Sequence, residues 1–125
     1  MVRRNKDQGT EHETRTVLDL KGIGYHAERI PEGGQNDRGD VEAYQYGRDQ
    51  DVAPLVVLFW KRLVKKEGQK RRVPDGERDV VVMRKQDFLD LIHPGAPAYL
   101  IVECKAAETV NVTRVLAKAR SKAGL

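Results

Sequence analysis

Hydrophobic and polar positions along this chain change period several times, and each change predicts an element. Residues 11–21 place Val17, Leu18 and Leu20 on one apolar face at helical spacing. Thr10 followed three residues later by Glu13 has the form of a capping box, so a helix is expected there, ended by Gly22 and Gly24. Residues 25–30 and 40–44 read as short strands separated by the loop 31–39, and 46–51 as a polar turn. Residues 55–60 form a nearly continuous apolar run, which marks a strand buried on both faces. A second run at 79–84, reached through Pro74-Asp75-Gly76, predicts a hairpin with a long tip, and 86–92 a short helix. His93-Pro94-Gly95 and Pro97 break the chain before the run Tyr99-Leu100-Ile101-Val102. Val110, Val112, Val115, Leu116 and Ala119 then supply a last helical stripe, with Lys118, Arg120 and Lys122 suited to the negative end of its dipole.

The last strand changes the picture from architecture to chemistry. Side chains two apart share a strand face, so Leu100, Val102 and Cys104 are expected to face a core while Glu103 and Lys105 emerge together. A carboxylate beside an ammonium suits a hard metal ion next to a reacting water. Asp40, behind Gly39 and before Val41, is the candidate second carboxylate, because glycine permits a close backbone approach.

These residues resemble the PD-(D/E)XK nucleases, and within them the small Holliday-junction-resolvase-like enzymes of phages and archaea. Gly9-Thr10-Glu11-His12-Glu13 is similar to the family's G-x-x-x-E helix start. Arg29 to Asp40 resembles its R-x-x-G loop leading into G-D-[IV], and Glu103-Cys104-Lys105 its E-x-K strand. The resemblance implies an α/β fold with a restriction-endonuclease-like mixed β-sheet flanked by helices. It implies a catalytic set of Glu13, Asp40, Glu103 and Lys105, and Mg²⁺, with Mn²⁺ as a substitute, held by Asp40, Glu103 and the Cys104 carbonyl. It also implies branched DNA as substrate, 5′-phosphate and 3′-hydroxyl products, and a homodimer for paired cuts. The chain departs from the family in order: residues 45–98 intervene between the G-D and E-x-K strands, as though the family's C-terminal part preceded its third core strand.

Composition and charge narrow the reading. With 125 residues the chain fits one domain, 34% of its residues are charged, and the formal net charge is +4. Residues 1–51 carry eight basic and eleven acidic side chains; the remainder carry fifteen and eight. Lys61, Arg62, Lys65, Lys66, Lys70, Arg71 and Arg72 form the densest basic stretch, a candidate phosphate-binding surface or a solvated connection. Residues 1–8 read as a tail without the apolar core of a signal peptide, and no run is long enough to span a membrane, so an intracellular protein with no membrane partner is expected. Cys104 is the single cysteine and reads as a small buried hydrophobe, and the three histidines show no zinc-ligand spacing.

Each residue also has a plainer reading. Glu13 serves only as a helix cap, or Glu11 replaces it as ligand if the helix starts differently; Asp40 stabilises a turn; Glu103 and Lys105 form a surface ion pair; Arg29 binds phosphate or pairs with Glu28 or Glu32; Trp60 belongs to the core. Two other functions fit the same residues: a restriction- or repair-type endonuclease without junction preference, and a basic nucleic-acid-binding protein without catalysis.

Overall fold

The computed structural model describes residues 5–31, 39–45, 53–65, 67–74, 79–92 and 98–125. Within them lie α1 (Asn5–Gly22), β1 (His26–Arg29), β2 (Val41–Tyr44), β3 (Leu55–Val64), β4 (Val73–Pro74), β5 (Val80–Val82), α2 (Lys85–Ile92), β6 (Tyr99–Ala107) and α3 (Val112–Lys122). The protein is α/β, with a mixed sheet in the order β1-β2-β6-β3-β4, and β5 also paired to β3. No described helix is long and apolar enough to cross a membrane.

The sheet accommodates the long segment between the Asp40 and Glu103 strands by letting β6 insert between two strands made earlier. β6 runs antiparallel to β2, with Val41 opposite Val102, and parallel to β3, with Leu58 beside Glu103 and Trp60 beside Lys105. β3 therefore lies on the far side of β6 from β2, and the intervening segment keeps the two carboxylate strands adjacent. β3 and β5 form the expected hairpin, antiparallel from Leu58↔Val82 to Trp60↔Val80. The two-residue β4, too short to announce itself by periodicity, pairs with the far end of β3.

Strand alternation divides the core in two. Val41, Ala43, Val57, Leu100, Val102 and Cys104 gather with Leu20 and Tyr25 beneath α1. Val56 and Ile101 gather with Ala119 beneath α3. Apolar burial on this scale is worth about 1.5–3 kcal/mol for each large side chain, so the central strands β3 and β6 contribute most. Val56, Leu58, Ile101 and Val102 are nearly or wholly removed from solvent.

α1 corrects two expectations. It begins at Asn5, so residues 5–8 are helical and Thr10 lies inside the helix, where its carbonyl accepts from the Thr14 hydroxyl (2.9 Å). Its buried stripe is His12, Thr16 and Leu20, while Leu18, expected inward, is 54% exposed. The polar members are tolerated because each is bonded. His12 Nε2 donates to the Phe59 carbonyl (2.9 Å), the Thr16 hydroxyl donates to the His12 carbonyl (2.9 Å), and the Cys104 thiol donates to Thr16 Oγ1 (3.5 Å). The loop expected at 31–39, the turn at 46–51, the Pro-Asp-Gly turn and the break at 93–97 fall largely outside the described residues.

Candidate functional site

Asp40 sits at the entrance of β2, where its own N–H donates to the Val102 carbonyl (3.2 Å) and its carbonyl accepts from Ile30 N–H (2.8 Å). Its Oδ2 accepts the Cys104 backbone N–H at 2.7 Å, a charge-assisted bond that ties the carboxylate to the E-x-K strand. Gly39 makes this approach feasible. Its φ is +151°, and a Cβ there would lie 2.7 Å from Ile101 Cγ2 and 3.9 Å from Glu103 Oε2, so no other residue fits without displacing the floor of the site.

Glu103 and Lys105 project from β6 on the α3 side, as alternation predicts. Glu103 is only 7% exposed, and Lys105 Nζ lies 3.8 Å from its Oε1. Asp40, Glu103 and Lys105 line one groove of about 460 Å³, and α3 supplies the opposite wall through Arg114, Val115, Lys118 and Lys122. The site thus has an acidic floor and a basic wall. α3 is fixed at its start by Asn111, whose Oδ1 accepts Arg114 N–H (3.1 Å), the helix-capping arrangement that satisfies a free backbone donor.

Glu13 and Arg29, expected at the same site, are joined instead to each other. Arg29 Nη2 and Nε reach Glu13 Oε2 at 2.8 and 3.0 Å. A partner of Arg29 is therefore on α1, and Glu32 lies outside the described residues. Both Glu13 and Arg29 belong to the α1 side of the sheet, because Arg29 is in register with Val41, and neither contributes to the groove lining. The Thr10–Glu13 cap is likewise replaced by this tertiary pair. Glu13 still bears electrostatically on the strand. Burial pushes the Cys104 thiol well above its ordinary range, Asp40, Glu13 and Glu103 push it further, and the Thr16 hydrogen bond opposes them. Cys104 is buried, as expected.

The basic stretch divides between two faces. Lys61 pairs in register with Ala106 and Arg62 with Ala107, so successive residues of β3 point to opposite sides. Arg62 takes the groove side and Lys61 the α1 side. Lys65, Lys70 and Arg71 are exposed, Arg72 is bound to Glu108 at 3.0 Å, and Lys66 lies outside the described residues. Trp60 is part-buried and donates through Nε1 to the Ala107 carbonyl (3.0 Å), which locks β3 to the end of β6. His26 stacks on Tyr44, its ring centroid 5.7 Å away.

Among the described residues no three His, Cys, Asp or Glu side chains stand together as a metal-ligating group. The donor set nevertheless fits Mg²⁺ or Mn²⁺, which favour hard oxygen and retain several waters beside one or two carboxylates. Asp40 and Glu103 offer those carboxylates in one groove. An extended residue directs its N–H and C=O to the same strand edge, so the Cys104 carbonyl faces β2 as its N–H does. No protein-family model, curated protein or solved structure matches the chain.

Proposed function

We propose that this protein is a metal-dependent endonuclease of the PD-(D/E)XK type that hydrolyses phosphodiester bonds in branched DNA. The observation that supports it most directly is the meeting of Asp40, Glu103 and Lys105, from two strands far apart in sequence, in one groove walled by the cations of α3.

Asp40 and Glu103 would hold Mg²⁺ or Mn²⁺ with the Cys104 carbonyl. When held there, such an ion would supply a water of lowered pKa and neutralise charge on the phosphate. Lys105 orients the attacking water and stabilises negative charge as the oxygen–phosphorus bond forms and the bond to the 3′ oxygen breaks. The products are a 5′-phosphate and a 3′-hydroxyl. Cys104 N–H holds the Asp40 carboxylate in one orientation, so the floor of the groove is set before substrate arrives. Paired cuts across a four-way junction need two copies related by two-fold symmetry, which brings a homodimer into the reading.

The test is cleavage of a labelled four-way junction and its matched linear duplex, with Mg²⁺ or Mn²⁺, by the wild type and by Asp40→Asn. Asparagine can still accept the Cys104 N–H but brings no charge. Paired cuts in the junction alone, reduced more than ~100-fold in the variant, support the proposal; losses of at least this size are expected because even indirect ligand supports are worth about 10–100-fold. Cutting of both substrates marks an endonuclease without junction preference. Salt-sensitive binding without cutting marks a nucleic-acid-binding protein.

A further inference from the structure

We infer that Arg114 and Lys118 of α3 form a phosphate seat that grips the backbone of the strand being cut; the inference deepens the nuclease reading and rests on it. Neither residue belongs to the basic stretch 61–72 nor to any motif in the chain. Their assignment comes from the groove, where both stand on the wall opposite Asp40 and Glu103.

Three observations converge on these two side chains. The first is their charge state in context. Both are exposed, and neither forms an ion pair with an acidic side chain among the described residues. The carboxylates across the groove have their own bonds, Asp40 to Cys104 N–H and Glu103 to Lys105. Arg114 and Lys118 therefore bring to the groove positive charge that no ion pair among the described residues takes up.

A second observation is the placement of Arg114 in the first turn of α3, which contains no acidic residue. The positive end of a helix dipole favours Asp or Glu there and disfavours a cation. An arginine at this position works against the helix, and an anion arriving in the groove would relieve both the side chain and the dipole. Asn111 has already taken the Arg114 backbone N–H, so the new contact falls to the guanidinium, whose planar fork suits phosphate oxygens.

The third is spacing. Arg114 and Lys118 are one helical turn apart, about 6 Å along the axis, and Lys122, one turn further on, also lines the groove. A row of cations matches a row of anions better than it matches one. Along a nucleic-acid strand the charges repeat every ~3.4 Å of axial rise, so the row spans a few consecutive phosphates. One of these then lies over the acidic floor, where the bond is cut. By contrast, the stretch 61–72 straddles two faces of β3 and has Arg72 neutralised by Glu108.

The experiment is fluorescence anisotropy of a labelled duplex in chelator across a range of KCl concentrations, which separates binding from cleavage. The Arg114→Gln/Lys118→Gln protein should bind ~10-fold or more weakly at moderate salt, and the slope of log affinity against log salt should shrink by about 1.8, two phosphate contacts at ~0.9 each. The charge-retaining Arg114→Lys/Lys118→Arg protein should keep the wild-type slope. If the double variant does not fold by circular dichroism, Lys118→Gln alone should lower the slope by about 0.9. An unchanged slope and affinity in the neutral variants, or no binding by the wild type, overturns the seat. So does displacement of the duplex by inorganic phosphate at equal anion concentration, which marks a pocket for small anions. The same proteins are then assayed for cutting with Mg²⁺. Binding that depends on α3 without any cutting leaves the seat standing and defeats the nuclease reading; cutting that ignores both residues does the reverse.

Discussion

Under α1, the polar side chains drawn into the core are each bonded: Cys104 to the Thr16 hydroxyl, Thr16 to the His12 carbonyl, His12 to the Phe59 carbonyl, and Arg29 to Glu13 at the margin. Under α3, the same sheet exposes Asp40, Glu103 and Lys105 to a groove and faces them with further cations. Both faces are built from one set of alternating strands, so the difference lies in the helices laid over them. α1 brings hydroxyl, imidazole and leucine into register with the sheet. α3 closes on the sheet through Leu116 and Ala119, with its C-cap Ala123 packed beside them, and leaves another side to the groove. Both faces carry core, and the α3 face alone combines it with a groove lined by charged groups.

The division is most directly broken at Leu20. Leu20→Ala removes a buried side chain from the α1 core and is expected to lower stability by about 2–5 kcal/mol in urea melts, with activity per folded molecule retained. Loss of cleavage in the folded fraction would show that the faces are not separable. Lys105→Ala is the converse. Its pair with Glu103 is long and half exposed, so the melt should shift by less than ~1 kcal/mol, whereas cleavage should drop by ~100-fold or more, the size of effect seen when a charge stabiliser is removed.

Cys104 sharpens the contrast through pH. Its thiol is held protonated in the fold, whereas in the unfolded chain it ionises near pH 8.5. Above that pH the unfolded state binds fewer protons than the native one, so stability falls as pH rises, by at most about 1.4 kcal/mol per unit. Cys104→Ala should remove this slope between pH 8.5 and 10 and leave cleavage at neutral pH within a few fold. The smallest effect is expected at Glu13. Glu13→Gln weakens a half-exposed ion pair with Arg29 and should cost no more than ~1 kcal/mol. A loss of activity as large as that of Lys105→Ala would instead bring the helix glutamate into the groove's chemistry.

The parts of this site that could be read from sequence are those decided locally. Period-two alternation in 99–105 separates Leu100, Val102 and Cys104 from Glu103 and Lys105 without reference to any other strand, and the structure keeps that separation. Gly39 before Asp40 was legible for a similar reason, since a residue without Cβ announces a close contact. What escaped depended on partners distant in sequence. His12 and Thr16 stand outside the apolar set Val17, Leu18 and Leu20, and their burial depends on the Phe59 carbonyl and Cys104, 47 and 88 residues away. Thr10 and Glu13 matched a capping box, but the helix continues upstream and Arg29 claims the glutamate. Arg114 carried no local signal and Lys118 only that of a cation near the end of its helix, because a cation on an exposed helix position becomes part of a site only when a groove forms beside it. Arg120 was read as complementing its helix dipole; it also reaches Asp87 of the preceding helix at 3.5 Å.

The insertion of β6 between β2 and β3 has a consequence for biosynthesis. Chains emerge N-terminus first, yet β2 and β3 are not neighbours and meet only through a strand that comes after both of them. Until residues 99–107 leave the ribosome, Asp40 has no Cys104 N–H to hold it, and the α3 wall follows later still. A nascent chain surrounded by nucleic acid therefore carries its acidic and basic groups without the groove that joins them, and the site becomes whole only with the last quarter of the sequence.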